Sequence, residues 1–471
     1  MKVWVVAGEY PSVEHPGRGP FVADQVTALL EAGHQVRVIS CVPPSLRPVA
    51  NTVLRPAAHT LVSTVRPTVQ GLLGLAGGPK ETRRAAAPEK PVPPASTTTE
   101  ASAGGRSSVR HMAGVAVHAV RGTARVVHDA AGTTMAVRRM VQEMEQLAEQ
   151  EGLPDVIHAH NVFPAGIAAG QFAVAQKLPY VVTEHMSAYM RGQYSAVELA
   201  AAIRVLDRAA AVIAVSSIQA EALPIPTDRV RVVPNVVMVD RFRQRSPQAA
   251  TSGAVVAIGT LTPRKRLDSV VQAYAALPEE LRQAHPLRVL GRGPEQGALR
   301  ELAVSLGLSA DVVEGGASRE AVAQALSNAA VVVSASMAET FGVVLIEALS
   351  CGVPFVAVDS GGPRDIWAPG MGRLVGRRVD PALPDVEVFF VVEAPEDVAL
   401  LPDVVVDGPG RRGGAAPESV AALSEALATT LTEGSDAAQD KVRRQSAIDR
   451  FGPNAVATAL EHIYREVASA R

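Results

Sequence analysis

The stretch Ala329–Val358, AAVVVSASMAETFGVVLIEALSCGVPFVAV, decides the fold. Ala330 to Val333 is a short, β-branched, unbroken apolar run, the signature of a strand buried on both faces. From Phe341 to Ser350 the spacing turns helical. Val344, Leu345, Ala348 and Leu349 share one face, and Gly352 stands just past the end. Pro354 to Val358 predicts the next strand. The stretch is therefore one β-α-β unit of a parallel sheet.

Two carboxylates stand eight positions apart in this unit, Glu339 in the strand-to-helix loop and Glu347 about two turns along the helix. Ligands of such units lie beyond the carboxyl ends of the strands, where the first amides of the helix also point. The amides of Thr340, Phe341, Gly342 and Val343 thus suit an anion. A carboxylate beside that anion cannot bind it, so Glu339 is suited to accept hydrogen bonds from sugar hydroxyls.

SASMAETFGVVLIEALSCGVPFVAVDSGG is similar to the E-x7-E signature of the family-four retaining glycosyltransferases. The resemblance covers roughly three quarters of the chain. It implies an α/β fold of GT-B type, two Rossmann-like domains facing across a cleft. It also implies transfer of a sugar from a nucleotide-sugar donor to a glycan, lipid-linked or small-molecule acceptor, with retention at the anomeric carbon and no metal strictly required. A nucleotide-sugar epimerase of the same fold and a catalytically silent partner subunit are the alternatives.

Composition agrees with this class. The chain has 471 residues, enough for two domains, with 47% hydrophobic residues and a formal net charge of -2, which gives no footprint for nucleic acid. Cys41 and Cys351 are too few for a disulfide framework, and no apolar run approaches the length of a membrane span. The expectation is a cytoplasmic protein.

Along the chain, Val3 to Ala7, Gln35 to Ser40, Asp155 to His160, Tyr180 to His185, Ala211 to Ser216 and Arg231 to Asn235 read as strands with their loops. The helix Phe21 to Ala32 and a surface helix Met140 to Gln150 lie between them. The loop EYPSVEHPGRGPFVADQ resembles that of teichuronic-acid biosynthesis glycosyltransferases, and the resemblance assigns Gly19, with Gly17 as alternative, to close approach of the donor phosphates. Gly17-Arg18-Gly19 half matches a dinucleotide fingerprint, but the third glycine and the ribose acid are missing. His158 and His160 share a strand face without a marked third metal ligand. By resemblance, His185 lies near the donor sugar at the domain interface.

Residues 1–245 form the expected first domain, with an insert at about 43–139. Its Pro/Ala/Ser/Thr-rich middle reads as disordered, and Arg106 to Arg139 carries six arginines against Asp129 alone. This segment is either a solvated helix or strand pair, or a basic face for peripheral contact with the inner face of an anionic membrane.

Pro247 to Gly253 reads as the linker to a second domain, 246–448. There Ala254 to Ile258 is a strand, followed by Thr262-Pro263-Arg264-Lys265-Arg266 and a helix from Leu267 to Leu277. By resemblance Lys265 grips the donor diphosphate. Thr260 stands where many family members carry an arginine, and Arg264 is the candidate to replace it. Leu287 to Leu290 is a strand whose turn holds Gly291 and Gly293, and Val312 to Gly316 resembles the loop receiving the base. Ser336 completes the donor set by resemblance, with Glu347 on the nucleotide ribose. Asp359-Ser360-Gly361-Gly362-Pro363 looks like a serine-protease segment, but it follows a parallel strand. An acidic insert spans about 377–417 and contains VEVFFVV as a strand. Residues 449–471 form a last helix, which in GT-B proteins crosses back to the first domain.

Overall fold

Short β-branched runs alternating with amphipathic helices build two separate sheets in this chain. The computed structural model describes residues 1–11, 17–42, 108–112, 115–121, 130–316, 318–380, 383–392 and 417–470. The first sheet contains β1 (Lys2–Ala7), β2 (Gln35–Val42), β3 (Ser108–Met112), β4 (Val115–Arg121), β5 (Val156–His160), β6 (Tyr180–Glu184), β7 (Ala211–Ala214) and β8 (Val230–Val232). Their order is β3-β4-β2-β1-β5-β6-β7-β8, parallel throughout except for β3 against β4.

The second sheet contains β9 (Ala254–Ile258), β10 (Leu287–Leu290), β11 (Val313–Glu314), β12 (Ala329–Ser334), β13 (Phe355–Val358), β14 (Gly372–Asp380) and β15 (Leu383–Val392). Its order is β11-β10-β9-β12-β13-β14-β15, and only β15 runs antiparallel to its neighbour. These are two Rossmann-like halves, the α/β class the resemblance implies.

Both predicted inserts feed the edges of these sheets. The first insert supplies β3 and β4, and its last residues belong to a long helix, α1 being Pro20–Glu31 and α2 being Ala130–Glu151. The second supplies the end of β14 and all of β15. The disordered reading of the first insert's middle, Arg106, Arg125 and the acidic stretch 393–416 all lie outside the described residues.

Three expectations are refined. The surface helix predicted at Met140 to Gln150 runs longer, Ala130–Glu151, and is amphipathic: Gln142, Glu145, Gln146 and Glu149 are exposed, while Met140, Met144 and Leu147 are fully buried against Trp4, Val6 and Ile157. The linker Pro247 to Gly253 folds as a short helix, with Ser246 Oγ accepting from the Ala249 amide at 3.2 Å and Pro247 in its first turn. The helix predicted from Phe341 begins only at Val343. Gly342 adopts φ 104° at the cap, a conformation the interior of a helix does not allow.

The helices labelled next are α3 (Arg319–Ser327), α4 (Val343–Ser350), α5 (Ala437–Phe451) and α6 (Pro453–Ser469). α6 returns to the first sheet. Its Val456, Leu460, Ile463 and Tyr464 are buried with Val3, Val5 and Val181. Each such side chain contributes about 1.5–3 kcal/mol. A buried ion pair ties the second half to α5: Arg245 Nε and Nη2 donate to the Asp440 carboxylate at 2.8 and 2.7 Å.

The loops after the strands of one sheet meet those of the other. Ser217, after β7, gives its amide and hydroxyl to the Asp365 carboxylate at 2.6 and 2.5 Å. The Met190 methyl and Ile218 pack on Gly361.

Candidate active site

The loop between β12 and α4 is held rigidly before it presents any side chain. The Glu339 amide donates to the Ser360 carbonyl at 3.1 Å, and the Glu339 carbonyl accepts from the Gly362 amide at 2.8 Å. The Met337 amide donates to the Arg264 carbonyl at 2.9 Å, and Arg264 Nη1 returns a bond to the Ala338 carbonyl at 2.8 Å. The basic turn and the carboxylate loop are thus stitched together in both directions.

Out of this frame Lys265 Nζ reaches Glu339 Oε2 at 2.5 Å, with both side chains largely but not wholly buried. Beside them Gly342 starts α4, whose first-turn amides have no acceptor inside the helix and carry the positive end of its dipole. An ammonium group, a carboxylate and a helix start therefore converge on one spot. The geometry can neutralise an incoming anion while freeing Glu339 to accept hydroxyl protons.

Of the other predicted positions, Thr340 and Val343 are half-buried in this loop, whereas Phe341 points into the core and meets Phe451 edge-on at 5.6 Å. Phe341 can offer a ligand only its backbone. Ser336 is buried too, its hydroxyl aimed at the Ala338 carbonyl 3.5 Å away, so it braces the loop. Gly291 and Gly293 pack against the backbone of Gly259 and Leu261, where an added Cβ would fall 1.8 and 2.2 Å from carbonyl oxygens. These two glycines join β9 to β10 closely. Thr260 is exposed, and Ser360 of the protease-like segment is buried with its amide-paired carbonyl on Glu339.

Gly19 and Gly17 differ sharply. Gly19 caps α1 at φ 56°, and a Cβ there would fall 2.4 Å from the Glu9 carbonyl oxygen. Gly17 has open space around it. The tight backbone at the start of α1 requires Gly19.

In the first half, His185 follows β6 and its amide is shared between Asn161 Oδ1 at 2.9 Å and Glu184 Oε1 at 3.0 Å. Its Nε2 meets His160 Nδ1 at 2.9 Å, and Phe21 packs on its ring with centroids 4.4 Å apart. Burial drives the pKa values of His158 down to about 3 and of His160 and His185 far below the usual imidazole value. All three are neutral at pH 7, so one of His160 and His185 donates and the other accepts. His158 has both ring nitrogens engaged, Nδ1 with Tyr464 OH at 2.6 Å and Nε2 with Thr183 Oγ1 at 2.7 Å. That engagement removes it as a metal ligand. Among the described residues no cluster of three or more His, Cys, Asp or Glu side chains has the geometry to hold a metal.

Glu347 lies along α4 near a charged cluster that the sequence did not mark. Asp24 of α1 is clasped by Arg319 of α3, Nη2 to Oδ2 at 2.5 Å and Nη1 to Oδ1 at 3.2 Å, and also by Arg241 Nη1 at 2.5 Å. Burial pushes the Glu347 carboxyl up to about 7. Asp24 adds to the rise, and Arg319 and Arg241 oppose it. Glu184 is likewise raised to about 7 by burial, against three amide hydrogen bonds from Val162, His185 and Met186.

Comparison with known proteins agrees with this architecture. Residues 102–241 match the family model described as Glycosyltransferase Family 4, and residues 238–383 match the one described as Glycosyl transferases group 1. An exopolysaccharide phosphotransferase of Streptomyces coelicolor is 34% identical over 33% of this chain and 16% of its own length. The teichuronic acid biosynthesis glycosyltransferase TuaC of Bacillus subtilis is 27% identical over 50% of this chain and 62% of its own. The chain thus spans less than two thirds of the length of these relatives. Sucrose-phosphate synthase of Thermosynechococcus elongatus superposes with a TM-score of 0.63 over 100% of both chains at 17% identity, a likeness of fold. Among the described residues no helix is long and apolar enough to cross a membrane. The family-four match at residues 102–241 and the group 1 match at residues 238–383 thus fall on the two halves of a chain whose fold is GT-B.

Proposed function

We propose that this protein is a retaining glycosyltransferase that moves a sugar from a nucleotide-sugar donor to a glycan, lipid-linked or small-molecule acceptor. One observation carries the reading: Lys265 and Glu339 are paired at 2.5 Å beside the start of α4. In the free protein the carboxylate keeps the ammonium group neutralised and in place. When a nucleotide diphosphate enters, its oxygens take over Lys265, and Glu339 is released to hold hydroxyls of the donor sugar. Ground-state exchange of partners at one spot suits a reaction whose charge builds on a departing diphosphate.

In the transfer, the bond from the anomeric carbon to the diphosphate oxygen breaks. A bond to the acceptor oxygen forms on the same face, and the acceptor hydroxyl proton ends on the released diphosphate. Lys265, Arg264 and the first amides of α4 meet the growing charge, so the step needs no resident metal. Glu347 accepts from the ribose hydroxyls, and His185 contributes from the opposite half, which makes closure of the crevice part of the reaction. Retention rests on the E-x7-E resemblance, and the teichuronic acid biosynthesis for which the relative TuaC is named favours a glycan or lipid-linked acceptor.

The test begins with thermal shifts of the full chain against UDP-, GDP-, ADP- and dTDP-sugars, because the true donor raises the melting temperature by mass action. Turnover of that donor is then compared in Lys265→Ala and Glu339→Ala, which fold normally and lose about a hundred- to thousand-fold in rate. Wild-type turnover by either variant refutes the assignment.

A further inference from the structure

We propose that Arg191, in the first half, and Arg264, in the second, form a two-guanidinium site for a phosphate group that bridges the crevice. The segment that carries Arg191 follows β6 and His185. Its neighbour Met190 packs on Gly361, whose strand-like bridge to Glu339 forms part of the carboxylate loop. Arg264 is fixed to that same loop through the Ala338 carbonyl. The segment of Arg191, in the first half, and the turn of Arg264, in the second, therefore both abut the loop that carries Glu339.

Neither has a counter-charge. Among the described residues no carboxylate pairs with Arg191 or Arg264. Arg191 Nη2 is bonded only to the neutral Gln193 side chain, and Arg191 Nε is buried without a hydrogen-bond partner. Burial, and then the charge of Arg264, hold the Arg191 guanidinium below its usual pKa, so the like charges do feel each other. A surface arginine normally swings into water or onto an acid. Two guanidinium groups set against one loop with donors unspent fit a multi-oxygen anion such as a tetrahedral phosphate group, whose oxygens accept from both forks and relieve the repulsion.

Two sources can supply that anion, the diphosphate of the donor or a phosphate on the acceptor. Only this choice of source rests on the transfer reading, since anion binding is measured without turnover. The experiment titrates the full chain with pyrophosphate and with orthophosphate by calorimetry at fixed ionic strength. Arg191→Gln and Arg264→Gln each weaken binding of at least one of the two anions about tenfold or more. Arg191→Lys, which keeps the charge but loses the fork, loses less. Circular dichroism of each variant confirms that it is folded.

The same titrations with UDP, GDP, ADP and dTDP separate the sources. If the nucleotide that binds weakens by the same factor as pyrophosphate, the site holds the donor diphosphate. If nucleotide affinity is unchanged and only orthophosphate weakens, the site holds a phosphorylated acceptor. The proposal is overturned if folded Arg191→Gln binds both anions as tightly as the native chain, or if the native chain binds neither.

Discussion

Replacing Glu347 by Gln tests the electrostatics of the site at a single carboxyl group. Burial raises this group from 4.5 to about 7, while Arg319 and Arg241 pull it down and Asp24 pushes it up. Below pH 4.5 the acid is protonated both folded and unfolded, and it costs nothing. Between there and pH 7 the unfolded chain loses the proton and the folded chain keeps it, so stability falls as pH rises. The gap corresponds to about 3 kcal/mol once pH exceeds 7, a ceiling because the side chain is only half-buried. Gln mimics the neutral acid, so the variant lacks this fall. Urea unfolding at pH 5, 6, 7 and 8 reads the difference, and taking wild type minus variant removes the parallel contribution of Glu184. Ligand binding adds a second readout. Ribose hydroxyls that donate to Glu347 favour its ionised form, so nucleoside diphosphate binding at pH 6 releases up to about one proton more in wild type than in the variant, the ligand's own phosphate proton being common to both. Calorimetry in two buffers of different ionisation enthalpy counts it. Equal pH slopes and equal proton counts in both proteins would refute the reasoning.

Two further outcomes follow from the geometry. Gly19→Ala must force a Cβ into the Glu9 carbonyl 2.4 Å away at φ 56°, so it destabilises the start of α1 by about 1–3 kcal/mol, whereas Gly17→Ala changes the melting temperature little. Asp440→Ala leaves the fully buried Arg245 guanidinium without its partner and costs about 3–5 kcal/mol in chemical denaturation, while an exposed pair such as Arg231 with Glu466 is worth under about 1 kcal/mol.

Much of the fold was legible because parallel strands buried on both faces spell themselves as short β-branched runs, as at Val331 to Val333 and Val3 to Val6. Where sequence pattern and structure differ, the local chemistry is present in the sequence but weak. Met140, Met144 and Leu147 repeat at helical spacing amid Glu and Gln, which disguised a buried face. Ser246-Pro247 is a helix start compressed into a segment that composition marks as a linker. Gly342, at φ 104°, cannot sit inside a helix that opens at Phe341. The Lys265 and Glu339 candidates were visible because each sits in a strand-to-helix loop of recognisable pattern. Asp24, Arg241, Arg319 and Arg191 were not, since their neighbours lie far away in sequence. Asp24 is 217 residues from Arg241 and 295 from Arg319, and no local pattern encodes a contact across a crevice. Gly291, Gly293 and Ser336 are visible in the sequence as turn and loop residues, and the structure adds that they also pack the frame.

The central claim is that the Lys265–Glu339 pair opens to receive a nucleotide diphosphate. A crystal structure of the full chain with the nucleoside diphosphate selected by thermal shift tests it most directly. The expected result is diphosphate oxygens within about 3 Å of Lys265 Nζ and of the first amides of α4, the ribose on Glu347, and Glu339 turned away from the lysine. A nucleotide bound elsewhere, or bound with Lys265 still paired to Glu339, would contradict it.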